Sequence, residues 1–449
     1  MENLKEILHF TNVLKLRDNT GELNINGITT DTREDCSGKL FIPLKGHNFD
    51  GHNYIGTAFS KGAVAALSEK ESNDKRIIHV KNTLQALGDI AKYFIERDNV
   101  KIIAVCGTSG KTTVKELLKH VTGFRGTEKN FNNLIGVPKT VIENVFTNKK
   151  PEYLILELGI NQKGEMKRLK EITTPEYVIF TNISYGHLEG FGSINEVFKE
   201  KLEILSDNTD ISELIINSDI LSKTNLIDKS DYMQTFGETK GVDARLLSSD
   251  SSFNKGNIIT FEFNNKIYKI ASQLLGKFNA FNVIATFLAA KRLGFNTDEI
   301  IGKLENFKPV AMRGEILKSK TGAMIINDCY NANYDSFLNA INLFDSINIT
   351  GKKYIVIGDM FELGNFSEKL HIEIGKALSD TDIDFILGYG NLIEYTLEHI
   401  DKKSKFVKKF NTKKNIVNFL NTNTDFKDAI LIKASRGVKL EEITEGIKQ

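Results

Sequence analysis

Residues 104–116 read AVCGTSGKTTVKE, and they constrain the chain more than any other stretch. The strand-type run KIIAVC stops at Gly107, and a second glycine follows at Gly110. Lys111 then opens a segment whose apolar residues Val114, Leu117, Leu118 and Val121 share one helical face. Gly123 suits the end of that helix. Strand, glycine turn and helix start, in this order, aim backbone amides and the positive end of the helix dipole at an anion. The expected cradle is Gly107, Thr108, Ser109, Gly110, Lys111, Thr112 and Thr113. Within it Lys111 reaches the β- and γ-phosphates of a nucleoside triphosphate, and Thr112 offers its hydroxyl to Mg²⁺. The strict phosphate-loop pattern has a further glycine where Val105 stands, so this is a shortened form of it.

The pattern on either side of the loop predicts its setting. YLILEL (153–158), YVIFTNI (177–183) and LIIN (214–217) are further strand-type runs separated by helical stretches such as 194–205, an alternation that predicts a mainly parallel sheet with helices on its faces. Two alternating runs around Asn264 and Asn265, within 258–270, predict a β-hairpin, followed by an apolar helix over roughly 279–293. After Pro309 a second βα series begins with MIINDCY, YIVIGD, FILGYG and AILIKAS. Before Val100 a small α/β unit is expected, with LFIPL as a strand and helices near 53–62 and 82–96. The expected fold is thus α/β in three domains: 1–98, a central nucleotide-binding domain over 99–309, and a Rossmann-like domain over 310–449. A chain of 449 residues, 41% apolar and 26% charged, is long enough for three cores.

Composition narrows the functional classes. The net charge is +1 from 59 basic and 58 acidic residues, so no global field favours nucleic acid or a membrane surface, and an anion must be caught locally. Cys36, Cys106 and Cys329 are odd in number and widely spaced, as expected of reduced thiols in a cytoplasm. The charges scattered through MENLKEILHF interrupt the apolar core of a secretory signal, and no run reaches transmembrane length. A soluble cytoplasmic protein is expected.

Phosphoryl transfer needs more than the loop. Glu157 ends one strand next to the loop strand, and His187, in YGHLEGFGS, follows the next, so both are candidates for a shared metal site at the carboxyl edge of the sheet. Lys201, in KEKLEIL, reads from its neighbours as a lysine on a solvated helix face.

GTSGKTT, NFNNLIGVP (130–138), LELG (156–159), GHLEGFGS (186–193), GKFNAFN (276–282), MRGE (312–315) and DCYNANY (328–334) occur in the order found in the Mur ligases, the ATP-dependent amide-forming enzymes of peptidoglycan precursor synthesis, which this chain resembles over nearly its whole length. IGDMFELG with His371 downstream, and TTDTR with DGHNYIGTAFSKGA, resemble the branch that adds D-alanyl-D-alanine to UDP-N-acetylmuramoyl tripeptide. The resemblance implies an N-terminal domain for the UDP end of the substrate, a central ATPase and a C-terminal domain that closes over it. It implies that Lys111 binds phosphate, that Thr112 and Glu157 hold one Mg²⁺ and His187 a second, and that Lys201 is carbamylated and, as an anion, belongs to this metal site. It also implies that Asn279 and Asn282 contact adenine, Asp328 the ribose and Arg313 a phosphate, while Thr32, Arg33, Asn132 and Asn133 lie near the UDP-sugar. A monomer is expected, and catalysis falls to Lys111, Glu157, His187 and Lys201. This sequence departs from the family pattern at Phe278 in place of His, at Asn327 and Tyr334 in place of Asp and Pro, and at Ala434 in place of Gly. The alternatives are another amino-acid ligase of the family, or a nucleotide switch that hydrolyses ATP without a peptide acceptor.

Overall fold

The computed structural model of the chain describes residues 2–11, 13–15, 23–46, 48–147, 149–186, 188–206, 211–221, 231–402 and 405–449. Besides a short pairing of Glu2–Asn3 with Asn24–Ile25, three sheets follow one another along it. The first has five strands in the order Val13–Lys15, Ile77–Val80, Ala65–Ser68, Leu40–Phe41 and Ile28–Thr29. The expected LFIPL strand is confined to Leu40–Phe41, close to Pro43, which has no N–H for a ladder. The helix expected near 53–62 is a 3₁₀ turn, Gly51–Tyr54, continued by Ile55–Ser60, and the next helix is Thr83–Asp98.

The second sheet has nine strands, with Lys101–Cys106 lying between Tyr153–Glu157 and Tyr177–Phe180 in parallel. Every residue of Lys101–Cys106 after the first is buried, as an apolar strand with parallel neighbours and both faces covered requires. The register pairs Glu157 with Val105 and Phe180 with Cys106, so three strands end at one level and deliver their following loops to one place. Helix Lys111–Thr122 packs on one face together with Lys277–Arg292, which is buried nearly all round and starts two residues before the expected 279. The hairpin is Gly256–Phe263 with Lys266–Ser272. Asn264 and Asn265 both take positive φ, 51° and 57°, as a two-residue turn matched to strand twist demands. Met233–Gly237 and Ala244–Ser252 extend the sheet beyond the runs legible in the sequence. The second of these ends in SSDSS on an exposed surface, where no apolar run marks it.

The third sheet is ordered Glu315–Lys318, Met324–Asn327, Ala429–Lys433, Lys353–Gly358, Phe385–Tyr389, Phe406–Lys409. Its four inner strands are the apolar runs expected, and its two edge strands were not. The lysines of Phe406–Lys409 hide it from any search for apolar runs, and lysine on an edge also discourages pairing with other chains. Among the described residues no helix is long and apolar enough to cross a membrane. The architecture is α/β with three successive sheets, as expected.

Candidate active site

The loop after Lys101–Cys106 can only be built with glycine at its two ends. Gly107 has φ 135°, and a Cβ there would lie 2.1 Å from Thr181 Oγ1. Gly110 has φ 84°, and a Cβ would lie 2.4 Å from Asn282 Oδ1. The loop is laid onto the end of the neighbouring strand. Thr108 N–H donates to Asn182 O and Ser109 N–H to Asn182 Oδ1, both at 2.9 Å, while the Thr181 hydroxyl donates to Ser109 O at 2.7 Å. Lys111, the first residue of its helix, folds back to donate to Thr108 O at 3.0 Å and is only 8% exposed. Burial holds its pKa below the ordinary lysine value, and the Glu157 charge opposes that shift.

Glu157 is 3% exposed at the end of its strand. Its carboxylate accepts from Thr112 Oγ1 and from Asn132 Nδ2, each at 2.8 Å, and its own N–H donates to Thr127 Oγ1 at 3.0 Å. A buried carboxylate held only by neutral donors lacks a counter-charge, which a bound cation would supply. His187 lies outside the described residues; Gly186, before it, lines the same cavity.

Lys201 overturns the solvated-face reading. It is 0% exposed, and its Nζ lies beneath the loop, donating to Gly107 O at 3.1 Å. Burial, and then the neighbouring Lys111 charge, lower its pKa from the ordinary 10.5 to about 7. The signal was present in the spacing: Val197, Lys201, Ile204 and Leu205 recur at helical intervals, and all four are buried.

Asn279 and Asn282 do not cap their helix, whose N-cap Gly276 has no side-chain bond. Asn279 Nδ2 donates to Leu275 O at 2.8 Å and Asn282 Nδ2 to Asn279 Oδ1 at 3.0 Å, beside Gly110. From the third sheet, Asp328 Oδ2 accepts from the buried Lys433 Nζ at 2.6 Å. The Arg313 guanidinium stacks over Tyr330, 4.1 Å from the ring centroid. Asn333 Nδ2 donates to Ser109 Oγ at 2.8 Å and Tyr185 N–H to Asp335 at 2.9 Å, so the third sheet's loops close directly on the phosphate loop. These two contacts, the Asn182 support and the Lys433 partner had no sequence signal beyond lying in quoted motifs. His371 is wholly buried, accepts from Met360 N–H through Nε2 and bonds Ser367 O through Nδ1. It anchors IGDMFELG, and burial lowers its pKa.

One cavity of about 950 Å³ gathers loop residues 108–113, Asn132, Asn133, Glu157, Asn279, Asn282, Arg313 and Asp328. Gly107, Lys201, Thr32 and Arg33 are absent from its described lining. Arg33 lies on the first sheet's edge with an 89% exposed side chain, pairing with Asp31, whose pKa it pulls down to about 2. Among the described residues no group of three or more His, Cys, Asp and Glu side chains is placed to hold an ion by itself.

Three family models match the chain: "Mur ligase family, catalytic domain" over 24–95, "Mur ligase middle domain" over 105–290 and "Mur ligase, glutamate ligase domain" over 312–436. The UDP-N-acetylmuramoyl-tripeptide–D-alanyl-D-alanine ligase of Bacillus subtilis is 34% identical, over 94% of this chain and 93% of its own. The Escherichia coli protein of the same name is 29% identical over 98% and 97%. The crystal structure of MurF from Acinetobacter baumannii superposes with a TM-score of 0.87 at 26% identity, covering 99% of this chain and 98% of that one. MurF from Thermotoga maritima, solved in complex with ADP, gives 0.83 at 26% identity, covering 95% and 97%. Matched along nearly its whole length, with the loop, the strand-end carboxylate and the closing third sheet in one cavity, the chain belongs to the Mur ligase family.

Proposed function

We propose that this chain is an ATP-dependent amide ligase that joins D-alanyl-D-alanine to UDP-N-acetylmuramoyl tripeptide in the cytoplasmic synthesis of peptidoglycan precursors. The observation that carries the reading is one cavity in which a glycine-bounded phosphate loop, a buried carboxylate beside a hydroxyl, and a polar wall from another sheet face one another. Relatives bearing this activity's name match nearly the whole chain. Residues 1–98 would hold the UDP end, 99–309 the ATP, and 310–449 the acceptor side. The working unit would be a monomer.

In the reaction the tripeptide's terminal carboxylate attacks the γ-phosphorus. An O–P bond forms as the bond to the ADP oxygen breaks. The dipeptide's amine then attacks the acyl carbon, phosphate leaves, and the nitrogen gives up its proton. The chain's part is positioning and charge neutralisation. Lys111 meets the transferred phosphoryl group, and a bound polyphosphate opposes the burial that lowers its pKa. Thr112 and Glu157 suit Mg²⁺, which takes one or two carboxylates and completes its shell with phosphate oxygens and water. Bound there, the ion would neutralise developing charge on the phosphates. Asn279 and Asn282 would face the adenine, Asp328 the ribose and Arg313 a phosphate. Asn132 and Asn133 would lie toward the sugar, with Thr32 and Arg33 further out at the UDP end.

Lys201 would act as a carbamate. Its pKa near 7 leaves much of the amine neutral at physiological pH, the form that takes up CO₂. A carbamate keeps one N–H for Gly107 O, and its negative charge turns the repulsion from Lys111 into attraction.

The test is steady-state ADP production with each substrate omitted singly and the product checked by mass. Turnover is expected only with ATP, the UDP-tripeptide and the dipeptide together. Equal ADP release without the dipeptide would instead mark a nucleotide switch, and turnover only with another amino acid a different ligase.

A further inference from the structure

Lys115 lies one helical turn beyond Lys111 and has no part in the chemistry above. It is 0% exposed, among the largest fully buried side chains of the protein. Its Nζ donates to Thr127 O at 2.7 Å and pairs with Glu116 at 2.7 Å, whose side chain is 25% exposed. An apolar residue would fill this space without the cost of burying an ammonium, so the lysine calls for a reason beyond packing. Thr127 is also 0% exposed. Its N–H donates to Ile155 O at 2.9 Å, and its hydroxyl accepts the Glu157 N–H at 3.0 Å. From the other side, Thr112 of the same helix reaches the Glu157 carboxylate. Helix Lys111–Thr122 therefore grips Glu157 twice, at the carboxylate through Thr112 and at the backbone through Lys115 and Thr127. The second grip also fixes the start of the segment that carries Asn132, the other donor to Glu157.

We propose that Lys115 is a positioning residue for the metal-binding carboxylate: through Thr127 it holds Glu157 and the Asn132 segment in register with the Thr112 hydroxyl. The proposal rests on the reading that Glu157 and Thr112 hold Mg²⁺. Residues that support a metal ligand from behind typically change metal affinity by about 10- to 100-fold when removed.

The test uses the full chain with Lys115→Met, which keeps length and loses charge and donor, and Thr127→Val, which keeps shape and loses the hydroxyl. Three quantities are measured: binding of Mn²⁺ in the presence of a non-hydrolysable ATP analogue, the Mg²⁺ concentration giving half-maximal ADP production, and thermal stability. Each variant should weaken metal binding and raise the Mg²⁺ requirement about tenfold, leave metal-free analogue binding unchanged, and give no larger loss when the two are combined. A folded Lys115→Met with wild-type metal binding overturns the proposal, as does an additive double variant. Should Lys115→Met fail to fold, Thr127→Val and Lys115→Arg decide: unchanged Mn²⁺ affinity in Thr127→Val overturns it, and weakened affinity there with retention in Lys115→Arg supports it. Glu157→Gln separates the two layers. If it keeps metal binding, the metal reading falls and this proposal with it. If it loses binding while Lys115→Met and Thr127→Val keep it, only the positioning role falls.

Discussion

On the phosphate-loop side of the cavity, Lys111, Glu157 and Lys201 are buried at 8%, 3% and 0% exposure and bond to neutral groups: Thr108 O, Thr112 with Asn132, and Gly107 O. On the opposite side, Asp328 is paired with Lys433 at 2.6 Å and Arg436 with Glu441 at 2.9 Å. Charges buried on neutral partners are costly in the empty site and find their counter-charge in phosphate, metal or carbamate. Charges already paired must trade a partner for a ligand, so they yield less net binding and act more through geometry. Substitutions on the loop side should therefore cost catalysis far more than those on the closing side.

Lys111→Ala carries the largest expected effect. Removing one preorganised group at developing charge costs about 3 kcal/mol, a hundredfold or more in rate. The variant should fold normally, since the lost ammonium is a burden on the empty protein, and circular dichroism with kcat measures both halves of that statement. A well-folded variant with near-normal turnover would remove the phosphate role and the contrast between the two sides.

Lys201 gives the next largest effect, with its own pH signature. Lys201→Ala should be nearly inactive and partly rescued by a small carboxylate in the buffer. In the wild type, activity in limiting CO₂ should rise as pH passes through about 7, where the amine loses its proton. The stability sign follows from the same shift. The folded value near 7 lies below the ordinary 10.5, so between these the unfolded chain binds the extra proton and stability rises with pH; the full burden is present below 7. In CO₂-free buffer the wild type should gain stability over Lys201→Met between pH 7 and 10. Denaturant midpoints that move in parallel would show that the amine is not burdened as the fold implies.

These residues also show why the sequence was legible where it was. The loop is local chemistry: Gly107 to Thr113 need only their order, and the two glycines are forced by contacts within a few ångströms. From its neighbours alone Lys201 looks solvated, because Lys199 has a 74% exposed side chain while Lys201 itself is fully buried, a difference set by which face of Ile194–Leu202 meets the loop. Composition cannot carry that, though periodicity can. The inner strands of the third sheet stood out as apolar runs, and its edges did not, because half of an edge strand's surroundings is water. Thr127 and Lys115 were invisible for a further reason: the groups their side chains bond are backbone ones, which any residue type carries.

The smallest expected effect tests the seam between the two sides. Asn333 donates to Ser109 Oγ at 2.8 Å across the cavity, and its carbonyl oxygen also caps helix Tyr334–Ser346 in a reciprocal bond with Ser336. Asn333→Ala would lose both and confuse closure with helix stability, since losing a cap costs about 1 kcal/mol. Asn333→Ser separates them, because a serine hydroxyl still accepts from the Ser336 N–H but is too short to reach across to Ser109. A neutral hydrogen bond contributes about 1 kcal/mol net, so closure on the loop should be less favourable by up to about fivefold. The expected result is a near-wild-type melting temperature with kcat reduced a few-fold, and Ser109→Ala should match it without adding to it in the double variant. A fall in stability with unchanged kcat would make Asn333 a helix cap alone and leave closure to the Tyr185–Asp335 bond. A loss as large as that of Lys111→Ala would break the contrast from the other side, because a neutral contact would then weigh as much as a buried charge.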